Sequence, residues 1–74
     1  PRDVPKAVQV MREAARLGDE DAIRNLYIYS AKLFTGQDGI TRDILKAIEL
    51  CREAATLGNK LAESNLPLFF KEYA

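Results

Sequence analysis

The chain is short, carries no net charge and lacks several residue types on which protein chemistry depends. It has 74 residues, in which 11 lysines and arginines balance 11 aspartates and glutamates, with one cysteine and no histidine. A neutral surface argues against nucleic acid as the partner, because binding to phosphates needs clustered cations. The lone cysteine excludes an intrachain disulfide, and without histidines it offers no zinc site. No stretch is long and apolar enough for membrane insertion.

The first predicted element is a helix over about residues 4–17. Asp3 precedes it as an N-cap, and Gly18 follows it at the position where a left-handed residue ends a helix. The apolar residues of its expected buried face recur at intervals of three and four: Val4, Ala7, Val8, Met11, Ala14 and Ala15.

A second helix is predicted over about residues 20–34, with Asp19 as its N-cap. Successive side chains are rotated by about 100°, so the helix presents two distinct sides. The side expected to face the core carries Ala22, Leu26, Tyr29 and Leu33. The opposite side is too apolar for a purely solvated face, and it carries Arg24, Tyr27, Ile28 and Ala31.

Two further helices are predicted after a glycine-bounded loop at residues 35–39, over about 43–57 and 60–73. Pro67 lies inside the last of them. Because proline has no N–H group and clashes with the preceding turn, we expect it to kink or end that helix near Leu66. The capping residues follow the pattern of the first helix pair: Asp43, Gly58 and Asn59.

The second half of the chain repeats the first. Residues 2–26 and 42–66 share 13 of 25 aligned positions, at an offset of 40 residues. A period of this size indicates helix pairs that stack as a solenoid, each covering the hydrophobic face of the next. We therefore predict one all-α domain with units at about 2–41 and 42–74. The matches include Arg12-Glu13-Ala14-Ala15 with Arg52-Glu53-Ala54-Ala55, Leu17-Gly18 with Leu57-Gly58, and Asn25-Leu26 with Asn65-Leu66.

The matched positions resemble the Sel-one-like repeats, a family related to the tetratricopeptide repeats. The family pattern joins a helix with A-x-x-N-L-G-x-x-Y, a glycine loop, and a helix in which K-A is followed by A-A-x-x-G. Tyr27 and Pro67 stand where the family has glycine. The resemblance implies antiparallel helix pairs in a short right-handed solenoid, and the chain looks like part of a longer array. The matching residues are Ala22, Asn25, Leu26, Gly39, Asp43, Lys46, Ala47, Ala54, Ala55 and Gly58.

The resemblance also implies that the chain binds other proteins. In such arrays the first helix of each family repeat lines the concave surface. The units at 2–41 and 42–74 each begin with the second helix of the family repeat, so the helix at 20–34 corresponds to a first helix. The resemblance therefore places Arg24, Tyr27, Ile28 and Ala31 on the partner-binding side. An arginine beside an exposed tyrosine and isoleucine has the composition of a binding hot spot. The alternative is that Tyr27 and Ile28 pack against an adjacent helix. Family members act as scaffolds, adaptors and immunity proteins that neutralise a bacterial toxin, and the residues do not distinguish among these roles.

No catalytic site, metal site or cofactor motif is predicted. Without histidine, the nucleophile pairs Ser-His and Cys-His cannot form. Cys51 replaces Met11 of the first unit on an apolar helix face, so we expect a buried structural thiol. The run Asp19-Glu20-Asp21 is explained by capping and by the helix dipole. The prediction is a protein that is not an enzyme.

Three features leave further alternatives open. The apolar end of the chain is expected either to pack in a core or to mediate self-association through Leu66, Leu68, Phe69 and Phe70. A purely architectural spacer is the other alternative to a binding module. The recurring Arg12-Glu13 and Arg52-Glu53 are interpreted as surface ion pairs, and Asn25 and Asn65 as structural residues that cap backbone groups between helices. A contact with a ligand is the alternative for both features.

Overall fold

The computed structural model describes residues 4–73, with side chains from Lys6 onward. It contains α1 (Val4–Arg16), α2 (Glu20–Thr35), α3 (Ile44–Thr56) and α4 (Lys60–Tyr73), and no strand within that range. Each helix end lies within one residue of its predicted position, so the all-α class is confirmed. The predicted N-cap Asp3 lies outside the described residues. Among the described helices, none combines the length and apolar character that crossing a membrane requires.

Side-chain caps start three of the helices, as predicted. Each cap residue accepts a hydrogen bond from the backbone N–H three residues later, which satisfies a donor that the helix itself leaves unpaired. The pairs are Asp19 with Ala22 at 3.1 Å, Asp43 with Lys46 at 3.1 Å, and Asn59 with Ala62 at 2.8 Å.

Glycines in the left-handed conformation follow α1 and α3. The φ angles are 95° at Gly18 and 104° at Gly58, a region that side chains disfavour. After α1, the Asp19 N–H donates to the Ala14 carbonyl and the Gly18 N–H donates to the Ala15 carbonyl. The same two bonds follow α3, so both units turn by one Schellman motif, at the predicted glycines.

Consecutive helices pack against one another along the chain, and α2 also touches α4. The α2–α4 contact includes the stacked rings of Phe34 and Phe69, whose centroids are 4.2 Å apart. The core lies between the packed helices, and its buried apolar residues are Val8, Ala15, Ala22, Leu26, Leu33, Ala47, Ile48, Leu50, Cys51, Ala54, Ala62 and Phe69. Of the residues predicted to face the core from α2, only Tyr29 remains half-buried.

Pro67 does not end α4, which continues to Tyr73. Of the two outcomes expected at Pro67, a kink or an end, the end near Leu66 is therefore wrong, and the predicted extent of 60–73 is confirmed. Proline removes one backbone bond, to the carbonyl of Glu63, and that residue is exposed to water, which can solvate the carbonyl. Beyond the proline, Phe69 is buried against Phe34, and this packing holds the last turns in place.

Candidate partner-binding surface

The four residues predicted to bind a partner lie together on α2, and we call them the α2 surface. Arg24 is exposed and its guanidinium pairs with the carboxylate of Asp21. Ile28 is 40% exposed, whereas Tyr27 and Ala31 are half-buried. The surface therefore has an apolar centre with a charged residue at its edge.

Tyr27 is held in place by the neighbouring helix α4. Its ring packs against the core, and its hydroxyl accepts a hydrogen bond of 3.1 Å from the Asn65 amide. The same amide donates to the carbonyl of Leu61 at 2.8 Å. Asn65 therefore links two helices, which is the structural role predicted for it. Asn25, its equivalent in the first unit, is exposed.

Helix α4 carries an exposed apolar residue at the position equivalent to Ile28. This residue is Leu68, offset by 40 positions and 58% exposed. Ile28 stays exposed although α2 packs against all three other helices. The exposure of Ile28 therefore does not result from the lack of a neighbouring helix.

The recurring Arg-Glu motif forms an ion pair between the two units rather than within one. The Arg12 Nη2 atom lies 2.7 Å from the Glu53 carboxylate, and the Arg16 Nε atom lies 3.4 Å from its other oxygen. The hydrogen bond from Arg12 to Glu53 raises the pKa of that guanidinium above its ordinary value, against the opposing effect of burial. Glu53 thus connects α3 to two positions on α1.

A cavity of about 590 Å³ lies where α1, α2 and the start of α3 meet. Val8 and Leu33 supply apolar walls, and Arg16, Glu13 and Lys46 supply charges of both signs. The size falls within the usual range for small-molecule sites. Its charges are mixed, however, and no metal-binding group of three histidine, cysteine or acidic side chains occurs in the described part of the chain.

Comparison with known proteins gave no match. No family model, no curated protein and no solved structure is significantly similar to the chain. The resemblance to Sel-one-like repeats therefore stays a prediction from the motifs.

Cys51 is fully buried between helices, as expected for a structural thiol. Burial raises the pKa of the Cys51 thiol, and the neighbouring Ser30 hydroxyl acts in the opposite direction. The sulfur also approaches the carbonyl of Ala62 at 3.5 Å. A protonated, inaccessible thiol has neither the ionisation nor the access that a nucleophile needs.

The apolar end of the chain divides between core and surface. Phe69 is buried and Leu66 is half-buried, whereas Leu68 and Phe70 are exposed. Of the four residues considered for self-association, only these last two are exposed to a second molecule.

Sequence reasoning missed the partners of several residues. The Phe34–Phe69 stack and the Arg12–Glu53 pair each join residues more than 30 positions apart. The recurrence of Arg-Glu in both halves of the chain was a usable signal, because charges that recur with an internal repeat can pair across the boundary between the two copies.

Proposed function

We propose that the chain is a Sel-one-like helical repeat module that binds another protein through the α2 surface and the adjoining part of α4. In this proposal α1–α2 and α3–α4 are antiparallel pairs of a short right-handed solenoid. The binding surface consists of Arg24, Tyr27, Ile28 and Ala31, with Leu68 at its edge. The chain acts as a scaffold, adaptor or inhibitor and has no catalytic role.

The shared geometry of the two units supports the solenoid. Both units turn through the same glycine motif, and Glu53 on α3 forms ion pairs with Arg12 and Arg16 on the equivalent helix α1. The Cα extents of 32 × 31 × 15 Å fit a flat arrangement. Two helices with axes 8–10 Å apart and Cα radii of about 2.3 Å occupy a depth of about 14 Å.

The observation that carries the binding function is the exposure of Ile28 and Leu68 at equivalent positions. A large apolar side chain that stays partly exposed at the surface of both units costs solubility. Beside them, Tyr27 is fixed by Asn65, so its ring loses little rotational freedom when a partner covers it. A rigid aromatic residue between apolar and charged neighbours matches the composition of binding hot spots.

The direct test is site-specific photo-cross-linking in the cell that makes the protein. A photoreactive amino acid at position 28 is compared with the same amino acid at position 45, because Leu45 is exposed on α3, outside the proposed surface. We expect one protein to cross-link at position 28 and not at 45. Excess unlabelled parent chain should compete for it, and the Ile28→Ser variant should not.

Competition also distinguishes the alternatives. If the captured protein is a toxin whose activity the parent chain suppresses, the inhibitor role follows. If the Ile28→Ser variant competes as well as the parent, or no protein cross-links at position 28, the α2 surface is not a binding site and the architectural spacer becomes the better account.

A further inference from the structure

Helices α1 and α3 bury their equivalent residues to different extents. On α3, Ala47, Leu50, Cys51 and Ala54 form a fully buried stripe. On α1 the equivalent stripe consists of Ala7, Val10, Met11 and Ala14, all of them exposed or half-buried, with Val10 58% exposed. Both helices pack against the next helix along the chain, but α3 also packs against α2. The stripe on α3 lies between α2 and α4, because Cys51 has Ser30 of α2 beside it and its sulfur approaches the Ala62 carbonyl of α4. It is fully buried because α3 has both neighbours, whereas α1 packs mainly on α2.

Helices α2 and α4 also bury equivalent residues to different extents, and here the helix of the first unit is the more buried one. Ser30 and Leu33 are buried on α2, the helix that packs against α3. Their equivalents on α4 are Phe70 and Tyr73, which are 43% and 55% exposed. The outer side of α4 is therefore equivalent to the side of α2 that covers α3.

The two outer faces are thus equivalent to the two halves of an interface that the molecule already contains. The α4 face, with Phe70 and Tyr73, corresponds to α2, and the α1 face, with Ala7 and Val10, corresponds to α3. Both faces are apolar and exposed.

The charged residues of the Arg-Glu motif also support the equivalence between the two outer faces and the internal interface. Arg12 of the first unit pairs with Glu53 of the second, and the same motif leaves Arg52 and Glu13 exposed without an ion pair in the described residues. Arg52 is the equivalent of Arg12, and Glu13 is the equivalent of Glu53. A contact that repeated the internal one would bring Arg52 of one molecule to Glu13 of the next.

We propose that the α4 face of one molecule packs against the α1 face of a second copy, head to tail. In this contact α1 of the second copy packs on α4 of the first, in the way that α3 packs on α2 within one molecule. Arg52 of the first copy forms an ion pair with Glu13 of the second. A contact of this kind joins two different faces, so it extends into a row of molecules unless the rotation closes a ring. It is independent of the α2 surface, which stays exposed along the row.

The contact between copies is weaker than the internal one. Pro67 stands in place of Tyr27, so the hydrogen bond from asparagine to tyrosine has no counterpart. Phe70 also takes the place of the smaller Ser30, and Met11 takes the place of the smaller Cys51. These larger side chains hold α4 and α1 of the two copies further apart than α2 and α3 are within one molecule. Methionine can fill an irregular gap of this kind because its side chain is unbranched and flexible. Self-association is therefore expected to need high protein concentration.

Sedimentation velocity over a concentration series tests the contact. Val10→Asp blocks the α1 face and Phe70→Asp blocks the α4 face, so each variant alone should stay monomeric. Mixed together, they should form a 1:1 dimer and nothing larger, because each retains the face that the other lacks. Leu45→Asp, on neither face, should assemble like the parent chain, and Ile28→Ser should do the same. Circular dichroism confirms that each variant is helical.

Charge reversal gives a second test that leaves the apolar faces intact. Glu13→Arg and Arg52→Glu should each weaken assembly by roughly tenfold, because like charges then meet. The double variant should restore it, since the pair is re-formed with opposite polarity. A parent chain that stays monomeric at every concentration overturns the proposal. So does a mixture of the two aspartate variants that forms no dimer, or a double charge reversal that is no better than the singles.

Discussion

Helices α1 and α3 share a sequence motif and differ in their surroundings. Leu50 on α3 is fully buried, whereas its equivalent Val10 on α1 is largely exposed, and Ala47 and Ala7 differ in the same way. The difference arises because α3 lies between two helices and α1 packs mainly on one. Two helices of similar sequence therefore differ in burial because they differ in the number of their neighbours.

The largest expected effect comes from removing the aromatic stack that secures α4. Phe69→Ala should cost about 3–5 kcal/mol, because it deletes a buried ring and leaves a cavity. The adjacent Leu68→Ala should cost about 1 kcal/mol or less, since Leu68 is exposed. Urea unfolding followed by circular dichroism measures both. If both variants lowered the free energy of unfolding equally, α4 would not be anchored through Phe69.

A truncation of equivalent residues tests the comparison of α1 with α3 directly. Leu50→Ala should lower the free energy of unfolding by about 2–5 kcal/mol, through lost burial and a new cavity. Val10→Ala should change it by less than about 0.5 kcal/mol in dilute solution. Thermal and urea unfolding of the two variants give the values. A Val10→Ala cost close to that of Leu50→Ala would contradict the difference in burial.

Alkaline pH should reveal the buried thiol. Burial raises the pKa of the Cys51 thiol in the folded protein, so folding favours the protonated thiol. The contribution of this thiol to the free energy of unfolding is complete below its unfolded pKa of about 8.5. It is lost as the pH rises from there towards the folded pKa. The free energy of unfolding should then fall by up to about 1.4 kcal/mol per pH unit in that window. The Cys51→Ala variant is the control, because it lacks this slope. Parallel pH profiles for the two proteins would show that the thiol titrates normally.

The smallest stability effect concerns the ion pair between units. Glu53→Gln should cost about 1 kcal/mol, because the charge-assisted hydrogen bond from Arg12 is lost at a partly exposed site. Glu13→Gln, at the equivalent exposed position, should be nearly neutral. Unfolding at low and high salt measures both, and the Glu53 effect should shrink with salt. A loss of the same size at Glu13 would argue that the motif acts within one helix.

The positions of the four helices could be predicted from the sequence, but the contacts between them could not. Helix ends were predictable because caps such as Asp19 and glycines such as Gly18 act locally. The effect of Pro67 could not be predicted in this way, because it depends on a distant contact. The packing of Phe69 against Phe34 outweighs the one backbone hydrogen bond that proline removes, so α4 continues. For the candidate surface, periodicity predicted its side of α2, but the hydrogen bond between Asn65 and Tyr27 depends on how α4 packs against α2. Long-range contacts depend on how helices pack, which periodicity along one helix does not encode.

Hydrogen exchange of backbone amides, followed residue by residue at low and high protein concentration, tests the central claim that neighbours determine burial. At low concentration the amides of α3 should be the most protected and those of α1 the least. At high concentration α1 and the outer side of α4 should gain protection as copies stack, while the exchange around Ile28 should stay unchanged. Equal protection of α1 and α3 at low concentration would contradict the account.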